Sequence, residues 1–158
     1  MTIKTGMGVF DAEMMLWDGS ETIDQATEVS ASLLLLGTPN SGLAVRVNIP
    51  TGVTLTASQV LTFTLNGCAA DGTTIITDAL STVMVITKAQ YDAGVVTGNL
   101  EFMIPFSYPS TVPYVKLTLV QTETANDLTG LIAGVVLNHK AGDWDRVEGW
   151  VISATVPA

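Results

Sequence analysis

The chain has 158 residues, 47% of them hydrophobic and only 13% charged, with a formal net charge of −9. That length suits one domain whose core is large enough to stand without disulfides or metals, and the single cysteine, Cys68, cannot form an internal bridge. Six basic residues scattered singly along an acidic chain argue against a nucleic-acid partner, which needs a basic face to displace counterions.

Residues 1–10 are Gly-rich and weakly patterned and read as an extended N-terminal arm. Met1 to Lys4 lacks the apolar core of a signal peptide, so synthesis and use without crossing a membrane is expected. A β-sandwich domain is expected over 11–138. Ala12 to Trp17 is a short apolar run ending in the turn signal Asp18-Gly19-Ser20. Val29 to Leu36 reads as one strand leading into the loop Gly37 to Gly42. Leu43, Val45, Val47 and Ile49 alternate with Ala44, Arg46 and Asn48, the period-2 pattern of a half-buried strand. Pro50-Thr51-Gly52 closes it.

Leu61, Phe63 and Leu65 alternate with Val60, Thr62, Thr64 and Asn66 and are expected to face inward. Asn66-Gly67 and Asp71-Gly72 read as turns, with Thr73 to Ile76 and Ser81 to Ile86 as strands. Thr87 and Gln90 have capping-box spacing, so one helical turn is expected over Lys88–Asp92, stopped by Gly94. Leu100, Phe102 and Ile104 form a strand expected to stop at Pro105, and Pro105, Pro109 and Pro113 mark a long loop. Val115, Leu117 and Leu119 alternate with Lys116, Thr118 and Val120. Leu131 to Asn138 is the last regular strand, followed by a C-terminal tail over 139–158. About eight to ten short strands with almost no helix predict an all-β, jelly-roll-like sandwich with extended terminal arms.

A mean hydropathy of +0.44 raises the question of a membrane. No apolar run nears the ~18 residues of a spanning helix. Aromatics at 6% are sparse for the two girdles of a membrane barrel, so no membrane partner is expected. A surface with so few charges instead points to burial against other protein. Leu33, Leu34, Leu35 and Leu36 carry the same message. Successive strand residues face opposite sides, so two of them enter the core and two need other cover. A neighbouring subunit is one such cover, and a long loop or terminal arm is the other. Burying two leucines there is worth roughly 3–6 kcal/mol. Trp144 and Trp150 in the tail read as interface anchors or as groups that pack back on their own domain.

Chemistry is hard to find. His139 is the sole histidine and reads as a loop residue; no G-x-S-x-G elbow supports a serine nucleophile. One histidine and one cysteine exclude a zinc site. The acids Asp11, Glu13, Asp18, Glu21, Asp24 and Glu28 do not match a calcium loop and read as solvated. Asp143-Trp144-Asp145 has the look of a sugar platform. A carbohydrate-binding module with a groove lined by Trp17, Trp144 or Trp150 is therefore the alternative function. No catalytic residue, cofactor or metal is assigned.

The run Val9-Phe10-Asp11-Ala12-Glu13, the Leu-rich strand ending in Gly37, Ala44 to Ile49, Leu61 to Leu65 and Tyr114 to Leu117 together resemble the capsid cement, or decoration, proteins of tailed bacteriophages. The resemblance spans about residues 9–138. It implies a jelly-roll domain that forms dimers or trimers and sits outside the shell. There it bridges major capsid protein subunits against the pressure of packaged DNA. It also implies a protein made in the host cytoplasm and found on the virion, with no enzymatic activity. The net charge of −9 would keep such a protein off the encapsidated DNA.

Overall fold

Alternation of side chains along the strands sets the layers of the domain. The computed structural model describes residues 14–34, 43–50, 53–76, 80, 82–94, 100–106, 111–124, 128 and 130–137. The strands are β1 (Met15–Asp18), β2 (Thr27–Val29), β3 (Leu33–Leu34), β4 (Leu43–Ile49), β5 (Val60–Cys68), β6 (Ile75–Ile76), β7 (Thr82–Thr87), β8 (Leu100–Phe106), β9 (Tyr114–Gln121) and β10 (Ile132–Leu137). Among the described residues one helix, α1 (Lys88–Gly94), lies between β7 and β8. The N-terminal arm and the C-terminal tail fall outside the described residues.

The strands form two antiparallel sheets. The first has the order β1-β10-β4-β8; in the second, β2 and β3 together line one side of β9, β5 lines the other, and β6 and β7 line the far side of β5. Counting each split edge as one strand gives four strands facing four. The chain passes between the sheets in the order of a jelly roll. Every pairing is antiparallel.

The core lies between the inner faces. Val45, Val47 and Ile49 of β4, Leu61, Phe63 and Leu65 of β5, and Val115, Leu117 and Leu119 of β9 are all fully buried there. Each large side chain so buried contributes roughly 1.5–3 kcal/mol. Trp17 joins this core from β1. At one end of the sandwich a buried amide pair replaces apolar packing. Gln59 Nε2 donates to Gln121 Oε1 at 3.3 Å, Gln121 Nε2 donates to the Gln25 carbonyl at 3.0 Å, and Gln59 Oε1 accepts from the Thr56 amide.

The helix is capped as its spacing predicts. The Gln90 side chain accepts from the Thr87 amide at 2.9 Å, and the Thr87 hydroxyl accepts from the Gln90 amide. Tyr91 anchors the helix by donating its hydroxyl to the Val53 carbonyl at 3.0 Å. Asp18-Gly19-Ser20 is a turn: Gly19 adopts φ 91°, and Asp18 Oδ1 accepts from the Ser20 amide and hydroxyl.

Three expectations are corrected. Val29 to Leu36 is not one strand. Ser30 breaks it by donating its amide to the Leu117 carbonyl while its hydroxyl accepts from the Leu117 amide. One residue thus takes both ladder positions opposite Leu117, and pairing with β9 resumes only at Leu33. Leu35 and Leu36 lie outside the described residues. Asn66-Gly67 is not a turn either. Gly67 pairs with Val115 on one side and Ile76 on the other, and Asn66 donates to the Thr118 hydroxyl. The reversal comes at Asp71-Gly72, where Gly72 adopts φ 69° and Asp71 accepts from the Thr73 and Thr74 amides. Finally, β8 continues through Pro105 to Phe106. It is an edge strand, the place in a sheet where a residue without an N–H is tolerated.

Candidate interaction surface

The outer faces of the two sheets differ in chemistry. On the first sheet, Arg46 Nε meets Glu101 Oε1 at 2.7 Å, and Asn48 donates to the same carboxylate. Beside them Ala44, Met103 and Val136 form a small buried cluster separate from the main core. This face is occupied by paired charge and buried carbon.

The outer face of the second sheet follows from the registers. Val85, Thr62, Val120 and Thr27 form one row across β7, β5, β9 and β2. Val83, Thr64, Thr118 and Val29 form the next. Asn66 and Lys116 follow, and then Ile75, Cys68, Tyr114 and Leu34 across β6, β5, β9 and β3. Lys116 is the one charge among these strand positions, and the Asp71 carboxylate, in the turn between β5 and β6, acts on Cys68 at one end of the face.

Four large hydrophobic side chains are exposed among the described residues: Val29 at 50%, Ile75 at 47%, Leu34 at 42% and Val120 at 41%. All four belong to this face. The half-buried Val83 and Val85 join them through the threonines. Covering what is still exposed would yield about 1 kcal/mol for each of the four. The threonines add methyl groups and hydroxyls that an opposing protein surface can meet without desolvating a charge.

The carboxylates with shifted acidity all serve turns or loops. The Thr74 hydroxyl and the Thr74 and Thr73 amides hold Asp71 well below the usual carboxylate range. The Ser20 hydroxyl and amide lower Asp18. Glu123 is lowered by the hydroxyls of Ser58 and Thr56, both of which donate to it. These bonds fix backbone geometry, and each acid has its partners within a few residues or on an adjacent loop. Among the described residues, no three His, Cys, Asp or Glu side chains gather as metal ligands would. Cys68 is buried, and desolvation raises its thiol, the opposite of what a nucleophile needs.

The residues singled out from sequence divide as follows. Leu33 is 8% exposed and packs in the core, whereas Leu34 points outward onto the apolar face. Trp17 is 2% exposed and packed in the core, so it cannot line a sugar groove. Leu35, Leu36, His139, Asp143, Trp144, Asp145 and Trp150 lie outside the described residues. Val29, Ile75 and Val120 were not foreseen. The signal for Val120 was its outward place in the β9 alternation, whereas Val29 and Ile75 sit on short edge strands too brief to show a period. No family model, curated protein or solved structure matches the chain.

Proposed function

We propose that this protein is a structural cement protein of a tailed bacteriophage. It sits on the outside of the capsid, binds the major capsid protein and stabilises contacts between its subunits without catalysis. One observation carries the reading. Val29, Leu34, Ile75 and Val120 are gathered on a single sheet face with no carboxylate among its strand positions, on a chain whose net charge is −9. Such a face gains by being covered with protein. The sequence resemblance supplies the identity of the lattice, and the jelly-roll order agrees with it.

The mechanism is linkage. A protein that binds only the assembled shell stabilises that shell by mass action. Many identical weak sites on one lattice add avidity. The test is mass spectrometry and immunogold labelling of purified particles from the source of this sequence. The chain is expected on the particle exterior, and particles stripped of it are expected to rupture at lower temperature. Its absence from particles, or equal rupture temperatures, would refute the proposal.

A further inference from the structure

We infer that the C-terminal tail, 139–158, folds back on its own domain and covers the outer face of the first sheet, its tryptophans seated over Ala44, Met103 and Val136. The inference does not depend on the capsid reading.

Burial is the first argument. Leu43 and Val45, Phe102 and Ile104, and Val135 face the main core, so their strand neighbours Ala44, Met103 and Val136 point the other way. Yet Ala44 and Met103 are 0% exposed and Val136 is 4% exposed. The second sheet shows what an outer face looks like without cover. There Thr62, Thr64 and Asn66 stay only half-buried although β5 is an inner strand. Met103 stands on the edge strand β8, flanked by Arg46 on one side alone, and Pro105 two residues on is exposed. Strand neighbours by themselves do not hide an outward methionine at such a place. The described strands all lie in the two sheets, and α1 packs into the main core through Tyr91. The cover therefore comes from elsewhere in the chain.

Connectivity is the second argument. β10 ends at Leu137, one residue past Val136, and the tail follows at once. Twenty residues, 139–158, reach about 65 Å when extended. β8 lies only two strands, about 10 Å, from β10. The N-terminal arm enters through β1, on the far side of β10 and three strands from Met103. Residues 35–42 and 95–99 serve as joins, the first from β3 in the second sheet to β4 and the second from α1 to β8.

Shape is the third argument. Gly134 and Ala44 fill outward positions with no side chain and a single methyl, between Val136, Arg46 and Met103. The result is a shallow dent floored with carbon, which suits a large flat ring. An indole brings roughly 150–250 Å² of surface, and a thioether such as that of Met103 packs well against an aromatic edge. Asn48 and Glu101 on the same face offer acceptors for the indole N–H. Trp144 and Trp150 are the two indoles of the tail, with Val151 and Ile152 next to the second.

The experiment is peroxide oxidation of the full chain read by peptide mass spectrometry. Met103 is the reporter, and Met84, 1% exposed in the core, is the reference. In the wild type Met103 is expected to oxidise as slowly as Met84. In a variant carrying Trp144→Gln and Trp150→Gln its rate is expected to rise about tenfold while Met84 stays protected. A fast Met103 in the wild type overturns the inference, as does an unchanged rate in a folded variant. A second measurement does not need that variant to fold. Pro105→benzoylphenylalanine places a photoreactive group at an exposed position beside Ala44. Irradiation of a dilute sample is expected to link it to 139–158 of the same chain. No link to that segment, or links only to 1–13 or to another chain, would overturn the inference.

Discussion

Phe63 of β5 and Phe102 of β8 meet edge to face across the sandwich, their ring centroids 5.2 Å apart and their planes at 66°. They come from different sheets, so the contact ties the two layers at the centre of the core. Both rings are buried.

Phe63→Ala is accordingly expected to cost about 3–5 kcal/mol through lost transfer energy and an unfilled cavity. Phe63→Leu, which keeps most of the volume, should cost less. Urea denaturation measures both. A cost below about 1 kcal/mol for the alanine variant would mean the rings are not packed in the interior.

Gln59 and Gln121 form a buried pair in which both amides are engaged. Gln121→Ala removes the acceptor of Gln59 Nε2 and leaves the Gln25 carbonyl without its donor. Each orphaned group costs about 1–3 kcal/mol. Replacing both glutamines by alanine should cost less than the sum of Gln59→Ala and Gln121→Ala, because the orphaned amide disappears with its partner. Additive single and double costs by urea denaturation would contradict the pairing.

Asp71 is held below the ordinary carboxylate range, first by the Thr74 hydroxyl and then by the backbone amides of Thr74 and Thr73. Its folded form therefore binds a proton less readily than its unfolded form, whose value is about 3.9. The stability it contributes is fully present above that value and is lost as pH falls toward the depressed folded value. Asp18 and Glu123 act in the same direction. Asp71→Asn should thus lose less melting temperature than the wild type between about pH 5 and pH 2, the span over which ordinary carboxylates titrate. Parallel melting curves for the two proteins would remove Asp71 from the acid response.

Alternation in β4, β5 and β9 was legible because these strands are long and each has one buried face. The inward set Leu61, Phe63 and Leu65 and the capping pair Thr87 and Gln90 could be read from spacing alone. Ser30 could not. Its hydroxyl enters the ladder opposite Leu117, a residue 87 positions away, and nothing in the local run announces that. Asn66-Gly67 has the composition of a turn, yet pairing with β9 and β6 on both sides overrides local preference. Trp17 ends a short apolar run that leaves both a core and a groove position open, and the pairing of β1 with β10 puts it in the core.

The apolar face was least legible of all. Val29 and Leu34 lie close together in sequence, but Ile75 and Val120 come from distant strands, and only the order of the sheet brings all four to one surface. The leucine run gave a partial signal: Leu34 does face outward while Leu33 faces the core.

Hydroxyl-radical footprinting of the full chain, free and bound to purified particles, tests the central claim most directly. The account predicts that Val29, Leu34, Ile75, Val120 and Tyr114 are labelled more slowly on the particle, with residues of the Asp18 and Asp92 regions labelled equally in both states. Equal labelling of the sheet face under the two conditions, or protection appearing at other surfaces instead, would contradict it.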